Sequence, residues 1–300
     1  MQWVVVGTGA LSTLWAFGLQ RQGEKVTLLT RHVEDGRHLE LTAEHTDGLQ
    51  AQSFEVIGDP TQAGRNSVWL IIVKAWQLQA VVDLLAGQIP DNAHVIISHN
   101  GIGAAQNALL TTPDWHLYDL VTTHGAWRRS RLHSVHAGHG QSWVGPRQPG
   151  LSAVPEWFQP LRAALPPLEW DSTILYRRWH KLAVNCAINP LATLANVPNG
   201  ILKNLHFQQD IRAICEEVAL VAQTHLGKAL PELSADQLES GVYQVIQATA
   251  NNRCSMLQDI DAGQRTEIDY LNGYICQLGQ DYNIPTPVNQ RLWQNITALT

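Results

Sequence analysis

The chain has 300 residues, of which 45% are hydrophobic, and its formal net charge at pH 7 is −6. A chain of this length and composition can bury one large core or two ordinary ones, and we expect two domains. The lack of a basic block excludes a nucleic-acid partner, and the lack of ~18 consecutive apolar residues predicts no membrane span.

The first half alternates short β-rich runs with helical runs, a pattern typical of a parallel sheet covered by helices. The predicted strands cover residues 3–6, 25–30, 68–73, 93–98 and 117–122, and the predicted helices cover residues 11–22 and 77–86. Residues 131–144 are expected to form a hairpin whose glycines and histidines lie in turns and on exposed faces. The N-terminal part is therefore predicted to be an α/β Rossmann-type doubly wound sheet.

Prolines cluster between residues 155 and 171, and beyond them strand signals give way to long helical periodicities. The predicted helices cover residues 172–195, 210–226, 235–250, 254–280 and 288–299. We therefore place a boundary near residue 170, between a Rossmann-type domain at residues 1–170 and an all-α domain at residues 171–300.

A glycine-rich turn follows the first strand. The segment Gly7-Thr8-Gly9-Ala10-Leu11-Ser12 lies between a β-branched strand and a helix, the context of a dinucleotide-binding turn. Gly7 permits the tight turn, Gly9 lets the backbone approach a pyrophosphate, and the helix N-terminus offers unpaired amides to the phosphates. Ser12 replaces the usual third glycine and is small enough for helix-to-strand packing. A merely structural turn is the alternative interpretation.

The choice of cofactor depends on Arg31, at the end of the second predicted strand. NAD enzymes usually carry Asp or Glu there to hold the ribose hydroxyls. Arginine cannot accept those protons but can pair with a 2′-phosphate, a contact worth roughly 1.5–3 kcal/mol. We therefore predict NADP(H); an exposed arginine neutralised by Glu34 and Asp35 is the alternative.

Polar residues also follow later strands. Lys74 comes after residues 68–73, Asn100 after residues 93–98, and residues 122–126 leave the next strand. Because ligands of doubly wound sheets lie beyond the carboxyl ends of the strands, we expect these residues on the same rim as the glycine-rich turn.

In the second half, Lys181, Asn185 and Asn189 form a polar stripe on an apolar helix, at spacing i, i+4, i+8. A helix this apolar is normally buried, and a buried amide or ammonium without a partner costs roughly 1–3 kcal/mol or more. The stripe therefore faces either another protein segment or a small polar ligand.

Taken in order, nine segments of the chain resemble the ketopantoate reductase (2-dehydropantoate 2-reductase) family. These segments are residues 7–12, 74–77, 99–101, 122–124, 179–186, 189–191, 197–200, 255–260 and 266–273. The resemblance implies reduction of ketopantoate to pantoate with NADPH, in pantothenate biosynthesis.

The resemblance also implies roles for individual residues. Lys181 would be the proton donor, and Glu267 would lie at the nicotinamide and substrate end, so both are assigned as catalytic. The implied substrate ligands are Asn100, Lys181, Asn185, Asn189, Asn199, Asn252 and Ser255. The implied NADPH ligands are Gly7, Thr8, Gly9, Ala10, Leu11, Ser12, Arg31, Lys74, Asn100, Ala126 and Glu267. Ser12 and the segment 251–254 depart from the family pattern.

The chemistry requires a proton for the oxygen of the reduced carbonyl. Desolvation would lower the pKa of Lys181 toward the range useful for a general acid, which contributes ~10²–10⁴-fold to rate. Glu267 would either pair with the ammonium or orient the substrate hydroxyl. A reductase of another branched 2-keto acid and a non-catalytic NADP(H)-sensing protein are the alternative functions.

Other features point to no further chemistry. His133, His136 and His139 recur every third residue, which does not place them on one face of a hairpin, so no metal site is expected. The four scattered cysteines indicate reduced thiols in a cytoplasmic protein. A monomer and a homodimer are both compatible with the sequence.

Overall fold

The structure, a computed structural model, describes residues 1–30, 38–45, 48–111, 114–147, 153–227 and 230–299. The chain divides into two compact units. The first contains Met1–His99 and Ala105–Leu175, and the second contains Asn100–Ala104 and Tyr176–Thr300. The short segment Asn100–Ala104 therefore belongs with the second unit, although its neighbours in sequence belong to the first.

The first unit is built on one mixed sheet. Its strands are β1 (Gln2–Val6), β2 (Lys25–Leu29), β3 (His38–His45), β4 (Gly48–Ile57), β5 (Val68–Ile72), β6 (His94–Ser98), β7 (His116–Thr122), β8 (Gly125–Ser130), β9 (His133–Gly138), β10 (Ser142–Pro146) and β11 (Leu168–Trp170). They are ordered β11-β10-β7-β6-β5-β1-β2-β4-β3-β9-β8. The six strands from β7 to β4 in that order run parallel. This confirms the predicted Rossmann-type sheet.

The central strands are apolar because helices cover the sheet. Trp3, Val4 and Val5 of β1 have no exposed surface, and β5 is buried along its whole length, as expected for parallel strands covered on both faces. The helices of this unit are α1 (Ala10–Arg21), α2 (Leu78–Leu85), α3 (Gln106–Thr111) and α4 (Phe158–Ala164).

The predicted hairpin lies earlier in the chain than expected. The strands that pair as a hairpin are β8 and β9, whereas β10 pairs antiparallel with β7. The antiparallel pair β3 and β4 was not predicted. Most residues of these two strands are partly or fully exposed, which weakens the apolar signal of a strand.

The second unit is helical, as predicted. Its helices are α5 (Ile174–Ala195), which begins at the end of the first unit, α6 (Leu205–Leu226), α7 (Ala235–Ala248), α8 (Ser255–Asp261), α9 (Asn272–Asp281) and α10 (Pro287–Thr297). The single helix predicted for residues 254–280 is wrong. α8 ends before Gly263, whose φ of +62° stops the helix, and a short 3-10 turn at Ile268–Tyr270 precedes α9. No helix in the described part combines the length and apolar character needed to cross a membrane.

Two neighbouring histidines are buried: His124, just before β8, and His136, which was expected in a turn or on an exposed face of the predicted hairpin. His124 and His136 are 7% and 6% exposed. The backbone N–H of Gly140 donates to Nδ1 of His124, so Nε2 of His136 must donate to the same atom, at 3.1 Å. The rings of His45 and His139 also pack against His136. This arrangement requires a neutral imidazole at His124, whose Nδ1 accepts.

We expect acid to destabilise the protein through these histidines. Burial and the charges of His139, His124 and His45 lower the pKa of His136 to about 4, and burial and His139 lower the pKa of His124. The unfolded chain, with pKa values near 6.5, then binds more protons, so the free energy of unfolding should fall as the pH falls from about 6.5 to 4. Each proton contributes a slope of up to about 1.4 kcal/mol per pH unit.

Urea unfolding between pH 7 and pH 4.5 measures this slope. His136→Asn should flatten it, whereas His38→Asn, on the exposed start of β3, should keep the native slope. A native stability that does not change across this range would contradict the assignment.

Candidate active site

The glycine-rich turn joins β1 to α1 in the first unit. Gly7 has a φ of +94°, and its N–H donates to the carbonyl of Leu29 on β2 at 3.1 Å. Among the described residues, a Cβ at Gly9 would contact only Oγ of Ser12, at 3.4 Å, so none of the others fills that side of the turn. No side chain caps α1, and its first turn carries no acidic residue. These features fit an anion at the N-terminus of α1.

The other predicted cofactor ligands are distributed over both units. Ser12 is fully buried, as its proposed packing role requires, and its hydroxyl donates to the carbonyl of Gly9. Lys74 follows β5 after one residue, and Ala126 lies on β8 and packs against the core of the first unit. Arg31 lies outside the described residues. Asn100 and Glu267, predicted to contact the cofactor, both lie in the second unit.

Lys181 lies on α5 among buried apolar side chains. Leu182, Ala183 and Cys186 are at most 1% exposed, and Lys181 itself is half-buried. Burial lowers the pKa of Lys181 to about 8, and the negative charge of Glu267 opposes that lowering. The side chain is thus an ammonium group that loses its proton at about pH 8, well below the pH at which a solvated lysine does.

Glu267 is buried, at 5% exposure, just before the 3-10 turn at Ile268–Tyr270. Nδ2 of Asn100 donates to Oε2 of Glu267 at 2.9 Å. The carboxylate therefore receives a hydrogen bond from one predicted ligand and acts electrostatically on Lys181. Lys181, Glu267 and Asn100 form one cluster in the second unit.

The backbone around Asn100 is held by contacts that could not be expected from the sequence. The N–H of Ile102 donates to the carbonyl of Tyr270 at 3.1 Å, and Nη2 of Arg178 donates to the carbonyl of Gly101 at 3.3 Å. Gly101 has a φ of +81°, and a Cβ there would lie 2.1 Å from the carbonyl oxygen of Tyr270. Only glycine fits this position.

Asn199 and Asn252 are joined through the backbone. The N–H of Asn199 donates to the carbonyl of Asn252 at 2.9 Å, and its side-chain Nδ2 donates to Oγ1 of Thr249. Oδ1 of Asn199 is buried and accepts no hydrogen bond from the described residues. Asn252 is exposed. Asn199 therefore has a free acceptor that a polar ligand could satisfy.

The C-terminal end of the polar stripe on α5, at Asn189, lies near the start of α8. Asn185 is half-buried and Asn189 is 8% exposed. The carbonyl of Asn189 accepts a weak hydrogen bond from Sγ of Cys254, the residue before Ser255. Ser255 is exposed at the first position of α8. The end of the stripe at Asn189 and the start of α8 at Ser255 are therefore linked within the second unit.

Within the described residues, no three His, Cys, Asp or Glu side chains are arranged to hold a metal ion. The four cysteines, Cys186, Cys215, Cys254 and Cys276, are free and buried, and burial raises the pKa of each thiol. Thiols that stay protonated are poor nucleophiles. The group equipped for proton transfer is the ammonium of Lys181.

Comparison with known proteins supports this description. The ketopantoate reductase PanE/ApbA family matches residues 3–149, and the C-terminal part of the same family matches residues 173–300. A 2-dehydropantoate 2-reductase of Vibrio cholerae is 36% identical over 300 residues, which is 100% of this chain and 98% of the relative. The enzyme of that name from Archaeoglobus fulgidus is 32% identical, over 96% of this chain and 94% of its own length.

Solved structures share the fold. The PanE/ApbA family ketopantoate reductase from Ralstonia eutropha aligns with a TM-score of 0.85 and 24% identity, covering 100% of this chain and 98% of its own. A D-mandelate dehydrogenase bound to NADH and anilino(oxo)acetate aligns with a TM-score of 0.88 and 21% identity, over the same shares. The family resemblance predicted from the sequence is confirmed: the chain belongs to the ketopantoate reductase family of oxidoreductases.

Proposed function

We propose that the chain reduces 2-dehydropantoate (ketopantoate) to pantoate with NADPH, a step of pantothenate biosynthesis. The observation that carries this proposal is the half-buried Lys181, whose pKa is lowered to about 8 by desolvation, in one cluster with Glu267 and Asn100. The full-length relatives named 2-dehydropantoate 2-reductase support the choice of substrate.

Lys181 acts as the general acid. When bound, the reduced nicotinamide supplies the hydride that adds to the ketone carbon. As negative charge develops on the carbonyl oxygen, Nζ of Lys181 donates its proton to that oxygen, and the neutral amine afterwards takes a proton from water. A pKa of about 8 keeps the lysine protonated at pH 7 while making it a stronger acid than a solvated lysine.

The asparagines hold the substrate. Each amide offers donors and an acceptor without adding charge, which suits the hydroxyl and carboxylate groups of a small hydroxy-keto acid. We assign Asn100, Asn185, Asn189, Asn199 and Asn252 to this role, with Ser255 at the carboxylate. The free Oδ1 of Asn199 supports its part in the assignment.

The cofactor is proposed to be NADPH, held by Gly7 to Ser12, Lys74, Asn100, Ala126 and Glu267, with Arg31 at the 2′-phosphate. The open turn at Gly9 and the uncapped start of α1 support binding of a dinucleotide. In this proposal residues 1–170 supply all the cofactor ligands except Glu267, and residues 171–300 carry the acid and most substrate ligands. The four free cysteines support a reducing, cytoplasmic setting.

The test of this function is the initial rate with NADPH across a panel of 2-keto acids. We expect ketopantoate to be the best substrate. Brisk activity with another branched 2-keto acid and little with ketopantoate would favour the alternative reductase. Cofactor binding without turnover on any member of the panel would favour a sensing protein.

Replacing Lys181 with alanine should lower kcat by at least ~10², the low end for a lost general acid. Lys203→Ala removes an exposed lysine of the second unit and should leave kcat within about twofold. Steady-state rates with saturating ketopantoate and NADPH measure both. Unchanged turnover in the Lys181 variant would remove this residue from the mechanism.

The activity should fall as pH rises through about 8, because Lys181 must be protonated to act as an acid. In Glu267→Gln the opposing charge is lost, so the pKa of Lys181 should fall further and the alkaline limb of the kcat/KM profile should move to lower pH. Asp269→Asn is the matched control, since Asp269 bonds Trp293 and Arg265. An alkaline limb that moves upward in Glu267→Gln would refute this account.

Replacing Arg31 with glutamine should weaken NADPH binding selectively. If Arg31 pairs with the 2′-phosphate, roughly 10-fold or more of the affinity for NADPH is lost, while the affinity for NADH is unaffected. Calorimetric titration with each dinucleotide measures the ratio. Equal losses for both cofactors would place Arg31 elsewhere.

A further inference from the structure

Arg128, on β8, contacts the glycine-rich turn although 120 residues separate them. Its Nη2 donates to the carbonyl oxygen of Thr8 and lies 3.4 Å from Oγ1 of the same residue. Thr8 stands between Gly7 and Gly9, at the centre of the turn. A guanidinium is therefore held beside the N-terminus of α1, within the first unit.

The hairpin fixes which arginine reaches the turn. Ala126 and Arg128 pair with His136 and Ser134 without a register shift between them, so they share one face of β8. Ala126 packs against the core on that face. Arg129, at the register shift between Arg128 and Ser130, instead forms an ion pair with Glu44 at 2.7 Å. Arg128 points to the turn because of its register.

The charge of Arg128 is not balanced within the described part of the chain. Arg129 and Arg147 each pair with a carboxylate, whereas Arg128 bonds only the backbone and hydroxyl oxygens of Thr8. Arg131 lies near enough to repel it, and burial and that repulsion lower the pKa of Arg128. The first turn of α1 adds no acidic residue. A guanidinium and a helix N-terminus, two sources of positive potential, thus lie together, and no carboxylate of the described residues pairs with Arg128.

We propose that Arg128 binds the pyrophosphate of the dinucleotide and closes the turn over it. The inference rests on the proposed cofactor and adds a ligand to its site. A guanidinium has five N–H donors, and Thr8 engages those of Nη2 only, so the others are available to phosphate oxygens. The pyrophosphate is common to NADH and NADPH. Arg128 therefore contributes to the affinity for both, unlike Arg31, which is assigned to the 2′-phosphate.

The experiment compares the dissociation constants of NADPH and NADH for the native chain, Arg128→Gln and Arg129→Gln, by calorimetry at low and high salt. Arg128→Gln should weaken both dinucleotides by the same factor, roughly 10-fold, because one charge-assisted contact near the surface is lost. The difference should shrink at 0.5 M salt, since exposed charges are screened. Arg129→Gln, in the same strand, should leave both constants within about twofold.

Each other outcome is decisive. Unchanged affinities in Arg128→Gln, with native binding intact, would overturn this inference alone. A loss confined to NADPH would move Arg128 to the 2′-phosphate and also overturn it. A native chain that binds neither dinucleotide would overturn the proposed function together with this inference.

A second variant separates binding from folding. Arg128→Lys keeps the charge but loses the planar fork, so it should bind both dinucleotides with intermediate affinity. Its melting temperature and that of Arg128→Gln should match the native value. A lowered melting temperature of Arg128→Gln combined with native affinity of the folded variant for both dinucleotides would show that the arginine only stabilises the turn.

Discussion

The burial of one ammonium group is the constraint on which the site depends. Leu182, Ala183 and Cys186, on the same helix as Lys181, are almost completely buried. The lysine beside them therefore loses much of its hydration. Desolvation favours the neutral amine, and the carboxylate of Glu267 favours the ammonium. The outcome of this competition sets how readily the proton leaves. In the proposed mechanism, packing in the second unit is therefore part of the chemistry, because a change in helix contacts would alter the acid strength of Lys181 without replacing it.

The carboxylate of Glu267 is held near Lys181 by the short loop Asn100–Ala104. The amide of Asn100 donates to the carboxylate, and the loop is in turn bonded to Tyr270 and Arg178. These residues come from three distant parts of the chain. Their contacts require a glycine at position 101, where any side chain would collide with the carbonyl of Tyr270. The charge that acts on Lys181 therefore depends on the backbone geometry of the loop at Gly101.

Much of the fold could be predicted because its signals are local. The buried parallel strands carry continuous apolar runs, the glycine-rich turn lies between a strand and a helix, and the stripe from Lys181 to Asn189 repeats every four residues. The strands β3 and β4 escaped prediction because exposed residues interrupt their pattern. The break between α8 and α9 escaped because its apolar periodicity continues past Gly263.

The candidate site was predictable to a smaller extent. Lys181 and Glu267 were identified through family resemblance, and the polar stripe independently indicated Lys181. Arg128 and Arg178 were missed because each acts on a backbone carbonyl 120 or 77 residues away, and such a contact leaves no trace in local spacing. Asn100 was assigned from the end of β6, but its side chain belongs to the second unit.

The way the chain is threaded has a practical consequence. The polypeptide leaves the first unit after His99, returns at Ala105, and leaves again after Leu175. A fragment that starts at residue 176 would lack five residues of its own unit, leaving the carbonyl of Tyr270 without its amide donor and Glu267 without the Asn100 donor. A single cut near residue 175 therefore does not yield the complete second unit. Gene fusions or domain exchanges that cut only near residue 175 would transfer the lysine without the loop that positions its carboxylate neighbour.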